Sequence, residues 1–289
     1  MSTNSVIEKI QKTDHQTIIE PSHGWFNLKL KAVWRYRELL YFLVWRDIKV
    51  RYKQTALGVT WIVLQPLLST LVFSGLFGLL LQVPTGGIPY PLFVMTGLVV
   101  WQYFTSALNR SSTSLVDSAS LITKIYFPRL VIPLSAVISG LLDFFISFLV
   151  LLVLLLIYRM PLTPRMLLLP AFLLLAILTA LGFGLWLTAL NVRYRDVKHL
   201  MPFVVQIWMY LTPVVYSLEL IPERFRWLLS LNPMTGVVGG FRWALVGAEF
   251  EQTSGAGVLF GISVAITLLV LVTGAVYFWR TERTFADII

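Results

Sequence analysis

Cysteine is absent from the 289 residues. That excludes disulfides, thiolate nucleophiles and cysteine metal sites, and it leaves the redox compartment unmarked. Histidine is scarce as well: His15 and His23 lie in a polar N-terminal tail, and His199 stands alone in the second half. No His-Glu-x-x-His and no histidine pair at ligand spacing occurs, so a metal site is not expected. There is no Gly-x-Ser-x-Gly, and the chain has no Gly-Lys dipeptide, hence no phosphate-binding ATPase loop. If the protein works with ATP, the ATPase is a different polypeptide. The first 33 residues lack the apolar stretch and small-residue cleavage site of a signal peptide, so the first apolar span is expected to be an internal, retained anchor. Internal repeats and low-complexity tracts are absent too.

Charged residues make up only 13% of the chain, against 57% hydrophobic, with mean hydropathy +0.78. A soluble domain is usually about 25% charged. A water-soluble fold of this length has no room to hide so much apolar surface, whereas a bilayer solvates one face of every helix. The net charge of +9 is then read as topology and anionic-lipid contact, and nucleic acid is not an expected partner. Aromatic residues, at 14%, suit interfacial belts and a lined conduit equally.

Six segments are long and apolar enough to span: 57–81, 90–108, 130–158, 166–190, 200–218 and 258–279. An even number places both termini on one side. Eighteen of the 23 Lys and Arg fall on that side, ten of them before the first span. The other side holds only Arg159, Arg165, Arg224, Arg226 and Arg242. The positive-inside rule makes the rich side cytoplasmic.

Two regions are neither spans nor ordinary loops. Drawn as a helix, 34–53 puts Tyr36, Leu40, Leu43, Val44, Ile48 and Tyr52 on one face and Arg35, Arg46, Lys49 and Lys53 on another. That pattern predicts a helix lying in the cytoplasmic interface; the alternative is a cap packed on another domain. Asp47 and Arg51, at i,i+4 spacing, can pair. The segment 225–247 is apolar, broken at Asn232-Pro233 and followed by Gly236, Gly239 and Gly240. Two short helices dipping into the outer leaflet beside a conduit explain it, and a hairpin resting on the outer surface is the alternative.

Chemistry-bearing residues are few. Asp143 is the main charge within a span; it is a functional candidate, or a hydrated or paired structural group. Aromatic side chains in the spans serve packing or belts, and a subset can line a path on which sugar rings slide. The loop 111–128 starts with Ser111, Ser112, Thr113 and Ser114 and ends in Tyr126-Phe127-Pro128. It predicts a short cytoplasmic helix that receives force from a partner, or else an inert connector.

Taken together the residues resemble the membrane subunit of an ABC-2 type polysaccharide exporter of the O-antigen, capsule and teichoic-acid group. The matching pieces are Trp45-Arg46-Asp47-Ile48-Lys49-Val50-Arg51-Tyr52-Lys53, then Leu57-Gly58 and Trp61 with Gln65-Pro66, then Leu121-Ile122-Thr123-Lys124-Ile125-Tyr126-Phe127-Pro128-Arg129. They continue with Asn191-Val192-Arg193-Tyr194-Arg195-Asp196, Thr212-Pro213-Val214-Val215-Tyr216, Asn232-Pro233-Met234 and the ending Glu282-Arg283-Thr284-Phe285-Ala286-Asp287-Ile288-Ile289. Their order spans 34–289, leaving 1–33 as a polar cytoplasmic tail.

The resemblance implies an all-α polytopic membrane fold with an interface helix at 34–55, six spans and two short re-entrant periplasmic helices before the last. It implies a homodimer working with two copies of a separate ATPase subunit, which would carry ATP and Mg; this chain would bind no cofactor and would not be an enzyme. The cargo would be polysaccharide on an undecaprenyl-pyrophosphate carrier, O-antigen first, with capsular polysaccharide or teichoic acid as alternatives, moved across the bacterial inner membrane. Arg46, Lys49, Arg51 and Lys53 would attract the pyrophosphate. Trp61, Phe73, Trp101, Tyr103, Phe104, Trp208 and Tyr216 would line a channel along spans one, two and five. Leu121, Ile122, Lys124, Tyr126 and Phe127 would couple to the ATPase. A drug-type ABC-2 exporter shares the fold but would want a route poorer in aromatics. A membrane transferase would need a catalytic cluster, and a proton-coupled flippase several charges within spans.

Overall fold

A computed structural model describes residues 30–53, 58–161, 163–247, 256–282 and Phe285. All regular structure among them is helical. In chain order the helices are α1 (Leu30–Arg35), α2 (Arg37–Lys53), α3 (Gly58–Phe73, continued by a π-helical stretch Ser74–Leu80), α4 (Tyr90–Asp117), α5 (Ala119–Ile122), α6 (Val131–Ser139) and α7 (Leu141–Ile157). They are followed by α8 (Leu169–Arg193), α9 (Val197–Leu211), α10 (Glu223–Ser230), α11 (Pro233–Val246) and α12 (Ala256–Glu282).

Five helical segments are long and apolar enough to cross a membrane: Thr60–Leu80, Tyr90–Asp117, Val131–Ile157, Pro164–Arg193 and Phe260–Glu282. The second extends nine residues past the expected end at 108. The expected span 200–218 is instead the 15-residue α9, ended by Thr212-Pro213, where Thr212 turns extended. Fifteen residues reach about 22 Å, short of a hydrocarbon core of about 30 Å. Hydrogen bonds nevertheless fix its depth. Just before it, Asn191 Nδ2 donates to Ser112 O at 3.0 Å; just after it, Tyr90 Oη donates to Val215 O at 2.6 Å. Ser112 and Tyr90 lie near opposite ends of α4, about 33 Å apart along its axis. Helix and turn together therefore travel the depth of α4.

The helix α4 is the axis of the bundle. Its apolar side chains are mostly buried by protein, and α3, α6, α7, α8 and α11 all pack on it. Hydroxyls inside the bundle tie neighbouring helices: Thr188 Oγ1 donates to Ser111 O at 2.6 Å, and Thr179 and Thr267 share a hydrogen bond at 3.0 Å between α8 and α12. The backbones of α8 and α12 approach closely at glycines. A Cβ on Gly274 would fall 2.3 Å from Gly182 O. Small residues permit this approach, which replaces the hydrophobic drive missing in lipid.

A second, smaller core sits at the far end of α4. It joins Val33 and Leu43 near the N-terminus to Phe127 of the middle loop, to Val131 and Ile132 at the start of α6, and to Phe278 and Phe285 near the C-terminus. The first and last described helices therefore meet at one end of the bundle. The expected apolar face of the interface helix turns inward here: Leu43 is 1% exposed and α2 packs on α6. Outward it presents Trp34, Tyr41, Phe42 and Trp45, together with Lys49. The expected Asp47–Arg51 pair is replaced, because burial of the α2 face carries Arg51 toward α7. Arg46 bonds Asp47 at 2.8 Å, and Arg51 bonds Asp143.

Gly274→Val should push α8 and α12 apart and lower stability by about 1–3 kcal/mol. Gly261→Ala, on open helix surface, should leave the thermal midpoint unchanged or slightly raised. Thermal unfolding of the purified protein in detergent reads both.

Candidate functional site

A cavity of about 940 Å³ opens between α3, α4, α7 and α9, with the end of α2 at its foot. Its apolar wall is built from Trp61, Phe73, Trp101, Tyr103 and Phe144. Between these stand three amides from three helices, Gln65 of α3, Gln102 of α4 and Gln206 of α9, with the hydroxyls of Ser69, Thr105, Ser106 and Ser147. Flat ring faces beside paired donors and acceptors suit a ligand that is apolar on its C–H faces and polar around its edge. No amide is a charge, so the wall has no fixed point that would trap such a ligand.

The foot of the cavity is ionic. Asp143, in the first turn of α7, receives hydrogen bonds from Arg51 and Tyr52 of α2 and a longer one, 3.4 Å, from Arg110 Nη1 of α4. Arg51 Nη2 also reaches Ser139 Oγ at 3.4 Å. Burial first, and then its hydrogen bond to Asp143, pushes the Tyr52 hydroxyl up to about 12. It is therefore a donor throughout the physiological range. Asp143 is thus a paired group, one of the readings its sequence context left open.

The four basic residues expected at an entrance do not converge. Arg51 turns into the cavity foot, while Arg46, Lys49 and Lys53 lie on the outward face of α2, with Arg46 tied to Asp47. Of the seven expected lining aromatics, Trp61, Phe73, Trp101 and Tyr103 face the cavity. Phe104 is buried behind the wall, 5.4 Å from the Trp101 ring and 5.0 Å from Trp208. Trp208 packs edge-on to Phe183 as well, and its Nε1 donates to Asn232 Oδ1 at 3.0 Å. Tyr216 Oη donates to Tyr210 O at 3.0 Å. In the single chain these three stand off the cavity wall.

In the middle loop the expected protruding helix is a single turn, α5, because α4 itself runs on to Asp117. Leu121 and Ile122 lean on the second core and Phe127 is sunk in it, while Lys124, Ile125 and Tyr126 are exposed. A concavity of about 310 Å³ is lined by Ile122 to Phe127 and Arg129. Arg129 donates to Glu282 O, and its own backbone N donates to Glu282 Oε1 at 3.2 Å, tying this loop to the end of α12.

At the opposite end, α10 and α11 flank Asn232, whose side chain accepts from Met234 N at 3.1 Å and so caps α11. The expected two short helices are present. The second is buried almost throughout, unlike the alternative of a hairpin resting on the surface, and its Gly236 and Gly240 admit Ser263 and Phe172. Its Arg242 is buried with no carboxylate partner among the described residues. The guanidinium donates to Phe93 O (3.2 Å), Pro213 O (3.0 Å) and Val214 O (2.8 Å), and lies 3.6 Å from the centre of the Phe93 ring. These carbonyls include two set free where α9 stops, so one planar five-donor group supplies what water would elsewhere.

Gln65, read only as part of a motif, and Gln102, Gln206 and Arg110 were not expected site residues. Their signal in the sequence is uncharged amides inside apolar spans, and a basic residue just past the end of one span with an acid inside the next. Among the described residues no group of three or more His, Asp or Glu is placed to share a metal ion.

The ABC-2 type transporter family matches residues 38–246. The O-antigen export system permease protein RfbA of Klebsiella pneumoniae is 32% identical over 257 residues, covering 87% of this chain and 95% of the relative. A protein of the same name from Myxococcus xanthus is 32% identical over 216 residues, covering 74% and 82%. The polysialic acid transport protein KpsM of Escherichia coli is 27% identical over 244 residues, covering 82% and 91%.

Replacing Arg242 by Leu should strand three buried carbonyls and cost at least about 2 kcal/mol, seen as a lower thermal midpoint. Arg242→Lys should recover only part of the loss, because an ammonium is a point donor and cannot fork across three acceptors.

Proposed function

The chain belongs to the ABC-2 type transporter family as a polysaccharide export permease, and from that premise we propose that it carries undecaprenyl-pyrophosphate-linked polysaccharide, O-antigen first, from cytoplasm to periplasm. The observation that carries this reading is the cavity wall, where aromatic faces alternate with Gln65, Gln102 and Gln206. Sugar rings stack on the first and hydrogen-bond to the second, and neither holds a chain in one register. The relatives named for O-antigen export support the first cargo. The relative named for polysialic acid transport keeps capsular polysaccharide as the second, and teichoic acid is a third.

In this reading the chain crosses the bacterial inner membrane six times, with α9 and its turn as the fifth passage. The shared depth of α9 and α4 supports that count, and so does the meeting of first and last helices in one small core. The Lys and Arg asymmetry then puts that core, and both termini, in the cytoplasm. The protein works as a homodimer with two copies of a separate ATPase subunit, which holds the ATP and Mg. The weakly buried faces of α3 and α9, on either side of the cavity, support a second copy that completes the conduit. The exposed Lys124 and Tyr126, on a loop anchored by Leu121, Ile122 and Phe127, face the ATPase. Its push passes through the second core to α2 and α12. Arg46, Lys49 and Lys53 gather the anionic carrier at the outward face of α2, and Arg51 meets it inside.

Surface glycan in a permease-deletion strain, complemented with variants at normal membrane level, tests the reading. Trp61→Ala and Tyr103→Ala should each lower export about two- to tenfold, the scale of one lost ring contact. Joint replacement of Arg46, Lys49 and Lys53 by Gln should reduce it as well. Wild-type export from all of these would reject the lining and the entrance.

A further inference from the structure

At the foot of the cavity two guanidiniums, Arg51 and Arg110, and one phenol, Tyr52, converge on the carboxylate of Asp143. Arg110 is also incompletely used: its Nε donates to Ser106 O at 3.2 Å, its Nη1 reaches Asp143 only at 3.4 Å, and its Nη2 is buried with no hydrogen-bond partner among the described residues. Gly140 makes the room for it, since a Cβ there would fall 2.5 Å from that Nη2. The cluster is reachable: side-chain exposure is 25% for each arginine and 20% for Asp143, and both Arg51 and Asp143 border the cavity.

We infer that Arg51, Arg110 and Tyr52 form a phosphate-binding site at the cavity foot, and that Asp143 is a built-in anion that occupies it until a phosphate-bearing headgroup takes its place. Guanidinium forks accept carboxylate and phosphate in the same planar, bidentate geometry. A diphosphate brings more acceptors and more charge than one carboxylate. It can therefore use the idle Nη2 of Arg110 along with the donors Asp143 now holds. Exchange has a mechanical result. Arg51 and Tyr52 belong to α2 and Asp143 to α7, so freeing the carboxylate cuts the ionic tie between the interface helix and the start of α7, and cargo loading is felt in α2. This rests on the reading that the cavity is the export route, yet its own chemistry is binding and can be measured without export.

The test is calorimetric titration of inorganic pyrophosphate into the full-length protein in nanodiscs of zwitterionic lipid. Asp143→Asn removes the competing anion, so it should bind pyrophosphate about tenfold more tightly than wild type, and Asp143→Glu should bind like wild type. Tighter binding is not a result that misfolding produces. In the otherwise unchanged chain, Arg110→Gln should weaken binding about tenfold, which keeps the site testable if Asp143→Asn does not assemble. Repeating the titration in bilayers containing phosphatidylglycerol separates the sources. Undiminished binding points to a diphosphate carrier, and suppressed binding assigns the site to bilayer headgroups. Equal affinity for wild type and Asp143→Asn, or for wild type and Arg110→Gln, overturns the proposal. Wild-type export from the Trp61 and Tyr103 variants together with tight pyrophosphate binding would reject the conduit and leave this site standing apart from it.

Discussion

A hydrocarbon interior solvates no polar group, and this chain stops its helices inside the bundle at Thr212–Val215 and at Asn232. Each stop is answered from within. The Arg242 guanidinium takes up the carbonyls after α9, Asn232 caps α11 and also donates to Thr212 Oγ1 at 2.7 Å, and Tyr90 reaches across to Val215 O. The same rule governs the buried hydroxyls of α8 and α12, which return to carbonyls of their own helix or a neighbour's. Against that economy, the amides of Gln65, Gln102 and Gln206 are informative. They line one cavity, where water or a passing ligand can meet them.

The two ends of the bundle then divide the work. At the end of Arg242 the packing is dense, and Arg242, Asn232 and Tyr90 bond the backbone around the breaks, which holds it in shape. At the other end, apolar contacts bind the interface helix, the middle loop and the last helix into one small core, while an ionic cluster binds the same interface helix to α7. Apolar packing is insensitive to what fills the cavity. An ionic cluster at the cavity's foot is not, since any anion entering changes its balance. A push on the exposed loop at Lys124–Tyr126 and a charge arriving beside Arg51 therefore converge on one element, α2.

The architecture was readable wherever it depends on hydropathy: four of the six long apolar runs became helices within a few residues of their expected ends, the second running nine residues further and the fifth stopping seven short, and the break at Asn232-Pro233 is where the two short helices meet. What could not be read depends on three-dimensional pairing. Periodicity showed that α2 has an apolar face but not that this face covers α6 rather than lipid. Spacing offered Asp47 to Arg51 as an i,i+4 partner, whereas burial of that face gave Arg51 the more distant Asp143. Composition marked Trp61, Tyr103 and Trp208 alike as aromatic; only packing separates the first two, on the cavity, from the third, clamped between Phe104 and Phe183. The span at 200–218 was visible as apolar residues, but its helix ends at Leu211 because Thr212-Pro213 cannot continue it.

The central claim is that glycan passes along the cavity beside α4, and the absence of cysteine from the chain makes it directly testable. A single cysteine at Gln102 faces the cavity, and one at Leu149, 63% exposed on α7, faces outward. Export is measured in cells before and after each is labelled with a bulky, membrane-permeant maleimide. The account predicts that labelling Gln102→Cys stops surface glycan from appearing while labelled Leu149→Cys exports at its unlabelled rate. Complete labelling at Gln102→Cys with undiminished export would contradict it.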